Sequence, residues 1–195
     1  MECYHNPMEL KTMIERYLPL NEQEEKDKHF ILKAMEIHDN LLERKNRFMH
    51  FSASCWITNQ TRTKVLMIYH NIYDSWSWCG GHADGEADLC AVALKEMKEE
   101  TGIDQYHLLS NTPFSLEVLT VDGHVKNNEY VSSHLHLNLT YLIEADEKTP
   151  LILNKKETKG IKWIPVCLLK QEVRETWMME NIYQKLIDKM KGAKE

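Results

Sequence analysis

A glycine-rich segment followed by a carboxylate-rich segment constrains this chain more than any other feature. The first is Gly80-Gly81-His82-Ala83-Asp84-Gly85, and the second ends Lys95-Glu96-Met97-Lys98-Glu99-Glu100-Thr101-Gly102. If the glycines form a loop that opens a helix, Glu96, Glu99 and Glu100 share one helix face. Carboxylates on one face suit a hard divalent cation, and the amides of a glycine loop suit phosphate. The pair of segments therefore points to metal-assisted phosphate chemistry.

The composition is that of an ordinary globular protein. The chain has 195 residues, 43% hydrophobic and 28% charged, which is enough for one sizeable core. Its net charge of -6 argues against bulk attraction to nucleic acid or acidic lipid. The five cysteines lack a C-x-x-C pair, so neither a zinc knuckle nor a disulfide framework is indicated. With no apolar run long enough for a membrane span and no signal-peptide pattern, we expect a cytoplasmic protein without nucleic-acid or membrane partners.

The N-terminal quarter of the chain is predicted to be helical. Apolar residues at helical spacing predict a short helix that begins near Leu10 and that Pro19 ends. Asn21 then supplies an N-cap for a second helix, which the apolar stripe extends toward Leu42. We expect residues 1–47 to form a helical extension that packs on the main domain, and a partner-binding helix pair is the alternative.

Beyond residue 47 the pattern changes to short strands and two further helices. Strands are predicted at 50–57, 64–69, 76–78, 114–121, 134–143 and 160–164, and helices at 89–101 and 179–190. Gly102 stands where a helix end prefers glycine. Since no repeat or linker interrupts this region, residues 48–195 are expected to form one α+β domain.

At this point a family resemblance becomes visible. Residues 81–103 resemble the Nudix box, G-x5-E-x7-R-E-U-x-E-E-x-G-U with U aliphatic. Aligned on its end, Glu96 falls at the Glu after the Arg, and Glu99 and Glu100 fall at the Glu pair. The flanking His50-Phe51-Ser52-Ala53-Ser54 and the G-G-H-A-D-G segment resemble a generic bacterial Nudix subgroup, over about residues 48–170. The resemblance implies the Nudix α/β/α sandwich with a mixed sheet.

Two residues depart from the box. Ala87 stands at the first Glu, and its neighbours Glu86 and Asp88 are candidates to replace that carboxylate through a small shift of the loop. Lys95 stands at the Arg, which in the family orients the next Glu by bidentate contact. Because Lys offers only a point charge, we expect Lys95 to hold Glu96 less rigidly and the activity to be reduced.

The function implied by the resemblance is hydrolysis by a Nudix-type pyrophosphohydrolase that acts on acid anhydrides. Mg²⁺ or Mn²⁺ would be the cofactor, and the substrate a small nucleotide-type molecule, either a nucleoside-diphosphate derivative or a nucleotide. A homodimer is one option for the assembly. The resemblance implies metal ligation by Glu96, Glu99 and Glu100, with Glu96 as the alternative general base. It implies catalytic roles for Lys95, Glu96 and Glu99, and a phosphate-binding loop of Gly80, Gly81 and His82. The alternative from the residues alone is a solvated helix face of paired charges.

Outside the box, four histidines and one glutamate are further candidates. His134 and His136 lie two residues apart on a predicted strand and so point to one sheet face. Together with His50 and His82 they line a substrate pocket, bind a metal or serve as structural histidines. Glu157 resembles the family's acidic residue near the last strand, which makes it an extra metal ligand, a base or a loop charge. A further set of aromatic residues stacks a nucleobase or belongs to the core: Trp76, Trp78 and Trp163.

Two rival functions stay open at this stage. A nucleotide-binding sensor without turnover is supported by Lys95 and Ala87. An isoprenoid-diphosphate isomerase, which would use a Cys and a Glu for proton transfer, is supported by Cys79 immediately before the glycines.

Overall fold

The computed structural model describes residues 6–70, 74–126, 128–154 and 158–192. The chain divides into two units. The first comprises Met1–Ser54, Gly80–Ala93 and Ser110–Tyr141, and the second comprises Cys55–Cys79, Leu94–Leu109 and Leu142–Glu195. No helix in the described part of the chain is long and apolar enough to cross a membrane.

Two capped helices open the first unit. Helix α1 (Pro7–Arg16) begins after Asn6, whose side chain accepts hydrogen bonds from the backbone N–H groups two and three residues on, at 3.0 and 3.1 Å. Helix α2 (Glu22–Ile37) begins after Asn21, whose side chain accepts one from the N–H three residues on, at 2.9 Å. Each such cap is worth about 1 kcal/mol. The predicted pair of N-terminal helices is confirmed.

The end of α2 was predicted too late. The helix ends at Ile37, short of Leu42, because His38 adopts an extended backbone with φ -122 and ψ 132. The apolar spacing predicted a longer helix because it also includes a buried residue that lies beyond the helix end. Leu41 is buried at 4% exposure from the segment after the helix, whereas Ile37 on the helix itself is 66% exposed. A residue can therefore continue an apolar stripe in sequence without continuing the helix.

The six predicted strands are present in the described chain within a few residues, and four further strands were not predicted. The strands of the described chain are β1 (Met49–Asn59), β2 (Lys64–His70), β3 (Ser75–Ser77), β4 (Cys79–His82), β5 (His107–Leu108), β6 (Ser115–Val121), β7 (His124–Lys126), β8 (Glu129–Val131), β9 (His134–Ala145) and β10 (Thr158–Pro165). Those that were not predicted are β4, β5, β7 and β8. Helix α3 (Leu89–Thr101) lies where it was predicted, and Gly102 after it has φ +75, a conformation that favours glycine.

In the second unit β10 pairs with β2, and β2 also pairs with β3 and with the end of β1, where Thr58 lies opposite Val65. In the same unit β5 pairs with the end of β9, where His107 lies opposite Glu144. A 3₁₀ turn (Val166–Leu168) and the short α4 (Leu169–Glu172) follow β10, and a π-helical segment (Met178–Tyr183) runs into α5 (Gln184–Gly192). Tyr183 from this segment stacks on Trp56 of β1, with ring centroids 5.5 Å apart. The predicted closing helix is thus confirmed, and its first turns are π-helical.

The sheet of the first unit has a mainly polar and a mainly apolar face, and both are buried around Glu117 and Asn138. In β9 the residues alternate His, Leu, His, Leu, Asn, Leu, Thr, Tyr from 134 to 141, and β6 pairs with it antiparallel, with Glu117 opposite Asn138. Asn138 is 1% exposed and Glu117 is 0% exposed. Helix α2 packs against β6, and its own Glu24, also 0% exposed, accepts a hydrogen bond from Ser115 at 2.8 Å. A network of polar side chains therefore fills the space between the helix and the strands.

Candidate active site and histidine cluster

The glycine pair belongs to a strand rather than to a loop. Gly80 and Gly81 lie in β4, which pairs with β1, so the prediction of a loop at these residues was wrong. A Cβ on Gly80 would lie against the carbonyl oxygen of Ala53 and 2.7 Å from Oγ of Ser54. Glycine is thus required at residue 80 because the backbone of β4 lies too close to β1 for a side chain. The loop begins afterwards, at Ala83, which donates its N–H to the carbonyl of Phe51 at 3.0 Å.

The carboxylates on either side of Ala87 cap the start of α3. Asp88 accepts a hydrogen bond from the N–H of Ala91 at 3.0 Å, and Glu86 accepts one from the N–H of Asp88 at 2.9 Å. Ala87 itself is 5% exposed. Both candidates to replace the box's first Glu therefore already have a local structural role at the helix N-terminus.

Sequence reasoning missed one ion pair in this loop. The guanidinium of Arg44 donates to both carboxylate oxygens of Asp84, each at 2.6 Å. Asp84 has φ +49, and the N–H of Gly85 donates to the carbonyl of Leu42 at 2.9 Å. These contacts fix the loop between β4 and α3 to the segment before β1. Nothing in the local sequence signals the pair, because its partners are forty positions apart.

The three box glutamates lie on the second half of α3, but their environments differ. Glu100 is 4% exposed, Glu96 is half-buried and Glu99 is exposed. Lys95 forms an i,i+4 ion pair with Glu99, with Nζ and Oε1 3.8 Å apart, and both side chains are more than half exposed. A solvated row of charges would leave all three carboxylates exposed. The burial of Glu100 argues against that interpretation of the segment, since a buried carboxylate must be paired or coordinate a cation.

Cys79, on which the isomerase alternative depended, is buried at 1% exposure. Its hydrogen bond with Cys55 and its burial raise the pKa of the Cys79 thiol, and the nearby charge of Glu100 adds to the effect. A thiol with a raised pKa and almost no exposed surface is poorly placed to exchange protons with a substrate.

Four histidines form a cluster in the first unit. His50 of β1 lies at the centre, with ring centroids 5.1 Å from His82, 4.9 Å from His134 and 5.0 Å from His136. Nε2 of His134 and Nε2 of His136 are 3.3 Å apart. One ring nitrogen from each of His50, His82 and His136 lies within 4.8 Å of the others. The predicted common orientation of His134 and His136 is confirmed, and His50 and His82 join them.

The backbone orients two of these rings, and burial disfavours the charged form of His50 and His136. Nδ1 of His50 contacts the carbonyl of Asn46 at 3.0 Å, and Nδ1 of His134 contacts that of Ser132 at 2.9 Å. Burial lowers the pKa of His50, and burial together with the neighbouring imidazoles lowers the pKa of His136 to about 2.

The three tryptophan candidates from the sequence belong to the second unit. Trp76 lies under the ammonium of Lys162, 4.5 Å from the ring centroid, and Trp78 packs edge-to-face on Tyr183 at 5.4 Å. Both contacts are packing interactions within the second unit. The indole Nε1 of Trp163 is buried without a hydrogen-bond partner among the described residues. The prediction for Glu157 lies outside the described residues.

Comparison with known proteins relates this chain to a protein family. The family model described as NUDIX domain matches residues 49–186. No curated protein sequence matches the chain.

Three solved structures illustrate the similarity of the fold. A Caenorhabditis elegans Ap4A hydrolase in a binary complex is 17% identical with a TM-score of 0.51, over 73% of this chain and 96% of that one. The Escherichia coli dihydroneopterin triphosphate pyrophosphohydrolase is 18% identical with a TM-score of 0.53, over 71% and 95%. The NUDIX domain of Shewanella oneidensis NrtR, crystallised with ADP ribose, is 14% identical with a TM-score of 0.50, over 84% and 97%. At these identities the likeness concerns the fold, and it confirms the predicted α+β class with a mixed sheet and flanking helices.

Proposed function

Since the chain belongs to the NUDIX domain family, we propose that it is a divalent-metal-dependent hydrolase that cleaves the diphosphate linkage of a nucleoside-diphosphate derivative or nucleotide. The membership confirms the family resemblance drawn from the box, whereas the subgroup with the G-G-H-A-D-G segment stays a prediction. The observation that carries the proposal is the burial of Glu100 at 4% exposure, one helical turn after the half-buried Glu96 of α3.

The donor atoms of α3 suit a hard cation. Glu96, Glu99 and Glu100 offer carboxylate oxygens, which Mg²⁺ and Mn²⁺ prefer and which are less typical of zinc sites. We assign metal ligation to these three residues, with Glu96 as the alternative general base. When bound, the cation supplies charge neutralisation for the diphosphate and lowers the pKa of a coordinated water.

The protein itself contributes orientation. The first half of α3 is fixed by the caps from Glu86 and Asp88, and its end is fixed by Gly102. A helix held at both ends presents its carboxylates in a constant geometry, which a charge-stabilised transition state requires. We assign Lys95 a supporting electrostatic role through Glu99, to which it is ion-paired. We assign Gly80, Gly81 and His82 to the phosphate-binding segment at the end of β4.

We also propose the division of the chain into a helical extension, 1–47, and a hydrolase domain, 48–195. The family match supports it because that match begins at residue 49. Within the first unit α2 is bound to β6 by the hydrogen bond from Ser115 to Glu24. The extension therefore completes the packing of that unit rather than extending into solvent.

The test is an activity screen with matched variants. Purified protein with Mg²⁺ or Mn²⁺ is offered nucleoside triphosphates, dinucleotides, nucleotide sugars and ADP-ribose, and release of phosphate, pyrophosphate or nucleoside monophosphate is measured. Glu99→Gln removes one proposed ligand from an exposed position, and we expect it to lower kcat by at least about 100-fold. Glu36→Gln, an exposed ion-paired glutamate on α2, is the control and should leave the rate unchanged.

Two results would contradict the proposal. One is full turnover by both Glu99→Gln and Glu100→Gln, with far-UV circular dichroism showing both variants folded. The other is nucleotide binding that saturates without turnover for every substrate class, which would favour the sensor alternative supported by Ala87 and Lys95.

A further inference from the structure

We propose that His50, His82 and His136, with His134 as the fourth ligand, bind one transition-metal dication of the zinc class. This site would be separate in ligand chemistry from the carboxylates of α3. Its argument does not rest on the proposed hydrolase activity, because it uses no residue of the carboxylate set and shares only His82 with the proposed phosphate-binding segment.

The spacing of the donor atoms is close to what such an ion needs. Two nitrogens bound tetrahedrally at zinc distances are separated by about 3.4 Å. The Nε2 atoms of His134 and His136 are already 3.3 Å apart. The donor atoms of His50, His82 and His136 lie within 4.8 Å of one another, so rotation about side-chain torsions brings them onto one ion.

The backbone prepares the correct tautomer in two of the rings. Metal-binding histidines almost always donate their other ring N–H to a carbonyl or carboxylate, which fixes the ring and leaves a lone pair for the metal. His50 has this arrangement toward the carbonyl of Asn46, at 3.0 Å, and His134 has it toward the carbonyl of Ser132, at 2.9 Å. With the proton on Nδ1, the Nε2 atom of each ring is an electron-pair donor.

One of those donor atoms has no hydrogen-bond partner in the part of the chain that the structure describes. His50 is 4% exposed, and its Nε2 is buried without a hydrogen bond among the described residues. A buried polar atom left unsatisfied is uncommon in a native fold and calls for a ligand, an ion or a water. The three other rings of the cluster surround the His50 ring at centroid distances of 4.9 to 5.1 Å. A metal ion bound among the four rings would therefore accept the lone pair of His50 Nε2.

All four histidines lie on β-strands, which supports a metal site of defined geometry. His50 lies on β1, His82 ends β4, and His134 and His136 lie on β9. Sites built on strands hold their ligands more constantly than sites built on loops. Imidazole nitrogens select zinc, copper, nickel or cobalt, whereas Mg²⁺ and Ca²⁺ require oxygen ligands. The donor set therefore specifies a class of ion different from that of the box helix.

The experiment begins with the full chain, produced without a histidine tag and stripped with a chelator. ZnCl₂ is titrated by calorimetry, and CoCl₂ is titrated while the visible d–d absorption of tetrahedral Co²⁺ is recorded. We expect one ion per chain with a Kd below about 1 μM. His50→Ala and His136→Ala should each weaken binding by at least about 100-fold. His29→Ala, at an exposed histidine of α2, is the control and should leave binding unchanged.

Further measurements distinguish the histidine site from the carboxylates of α3 and cover the case of a variant that does not fold. His82→Ala removes a half-buried ligand and replaces the other variants if they fail to fold. Glu99→Gln should leave zinc binding intact, and a hundredfold excess of Mg²⁺ should not displace the ion. Imidazole ¹⁵N shifts should change at Nε2 of His50 on addition of Zn²⁺. The proposal is overturned if no ion binds, if the histidine variants bind as the parent does, or if Glu99→Gln abolishes binding.

Discussion

The sharpest prediction on stability concerns Asn138, which is 1% exposed and joins β9 to β1 and to β6. Its amide oxygen accepts hydrogen bonds from Ser52 at 3.0 Å and from Ser54 at 2.9 Å. Its amide nitrogen donates to Glu117 and to Thr140, each at 3.1 Å. Replacing Asn138 by Ala removes all four interactions at once and leaves the two serine hydroxyls without this acceptor.

The expected cost follows from those counts. Each buried polar group left unsatisfied costs about 1–3 kcal/mol, and two hydroxyls lose their acceptor, so we expect Asn138→Ala to lower the free energy of unfolding by about 4 kcal/mol. Thr140 continues to donate to Glu117 at 3.0 Å, which is why the carboxylate is left out of the sum. A loss of this size is a large fraction of the ~5–15 kcal/mol typical of a domain.

Urea denaturation measures the loss, with far-UV circular dichroism and tryptophan fluorescence as independent probes of two-state unfolding. Asn181→Ala is the matched control, because the exposed amide of Asn181 makes one hydrogen bond to the carbonyl of Trp177; its effect should stay within about 0.5 kcal/mol. A double-mutant cycle with Ser54→Ala should show a coupling of about 1 kcal/mol or more. A loss below about 1 kcal/mol for Asn138→Ala, or a coupling of zero, would refute the reasoning.

Two further substitutions test the packing of β4 on β1 and the role of Lys95 in the box helix. Gly80→Ala should destabilise the protein by about 1–3 kcal/mol in the same denaturation assay, because its Cβ would collide with the carbonyl of Ala53, and an unchanged midpoint would contradict the close packing of β4 on β1. Lys95→Arg should raise kcat/KM by about two- to tenfold, because a bidentate guanidinium would hold Glu99, the ion-pair partner of Lys95, more firmly than an ammonium does. An equal or lower rate would count against that account of the box.

Local signals in the sequence were enough to place α3. Its predicted range agrees with the observed Leu89–Thr101, and Gly102 ends it at φ +75. Glycine at a helix end and apolar periodicity are properties of neighbouring residues, so a sequence contains them directly. The shared face of His134 and His136 was predictable for the same reason, since it follows from the period of a strand.

Contacts between distant segments were the part that local reasoning did not reach. Glu24 and Ser115 are 91 positions apart, and their hydrogen bond in the buried network depends on how α2 lies against β6. The alternation in β9 predicts a strand, but it does not show that helix α2 covers the polar face. The strand position of Gly80 was missed likewise, because its need for a small residue arises from the backbone of β1.

The polar network in the first unit also determines which alignment of strands is permitted. Along β6 and β9, Glu117 lies opposite Asn138, and on the alternate positions Leu116 lies opposite Leu139. Moving β9 by one residue would set leucines against a buried carboxylate and turn the amide toward the hydrocarbon side of the sheet. Such a slip leaves several hydrogen-bonding groups unmatched, whereas a sheet with two equally apolar faces would tolerate it with little penalty. The buried serines, amide and carboxylates therefore determine the register of β9 against β6, because only the observed register pairs these polar groups with one another.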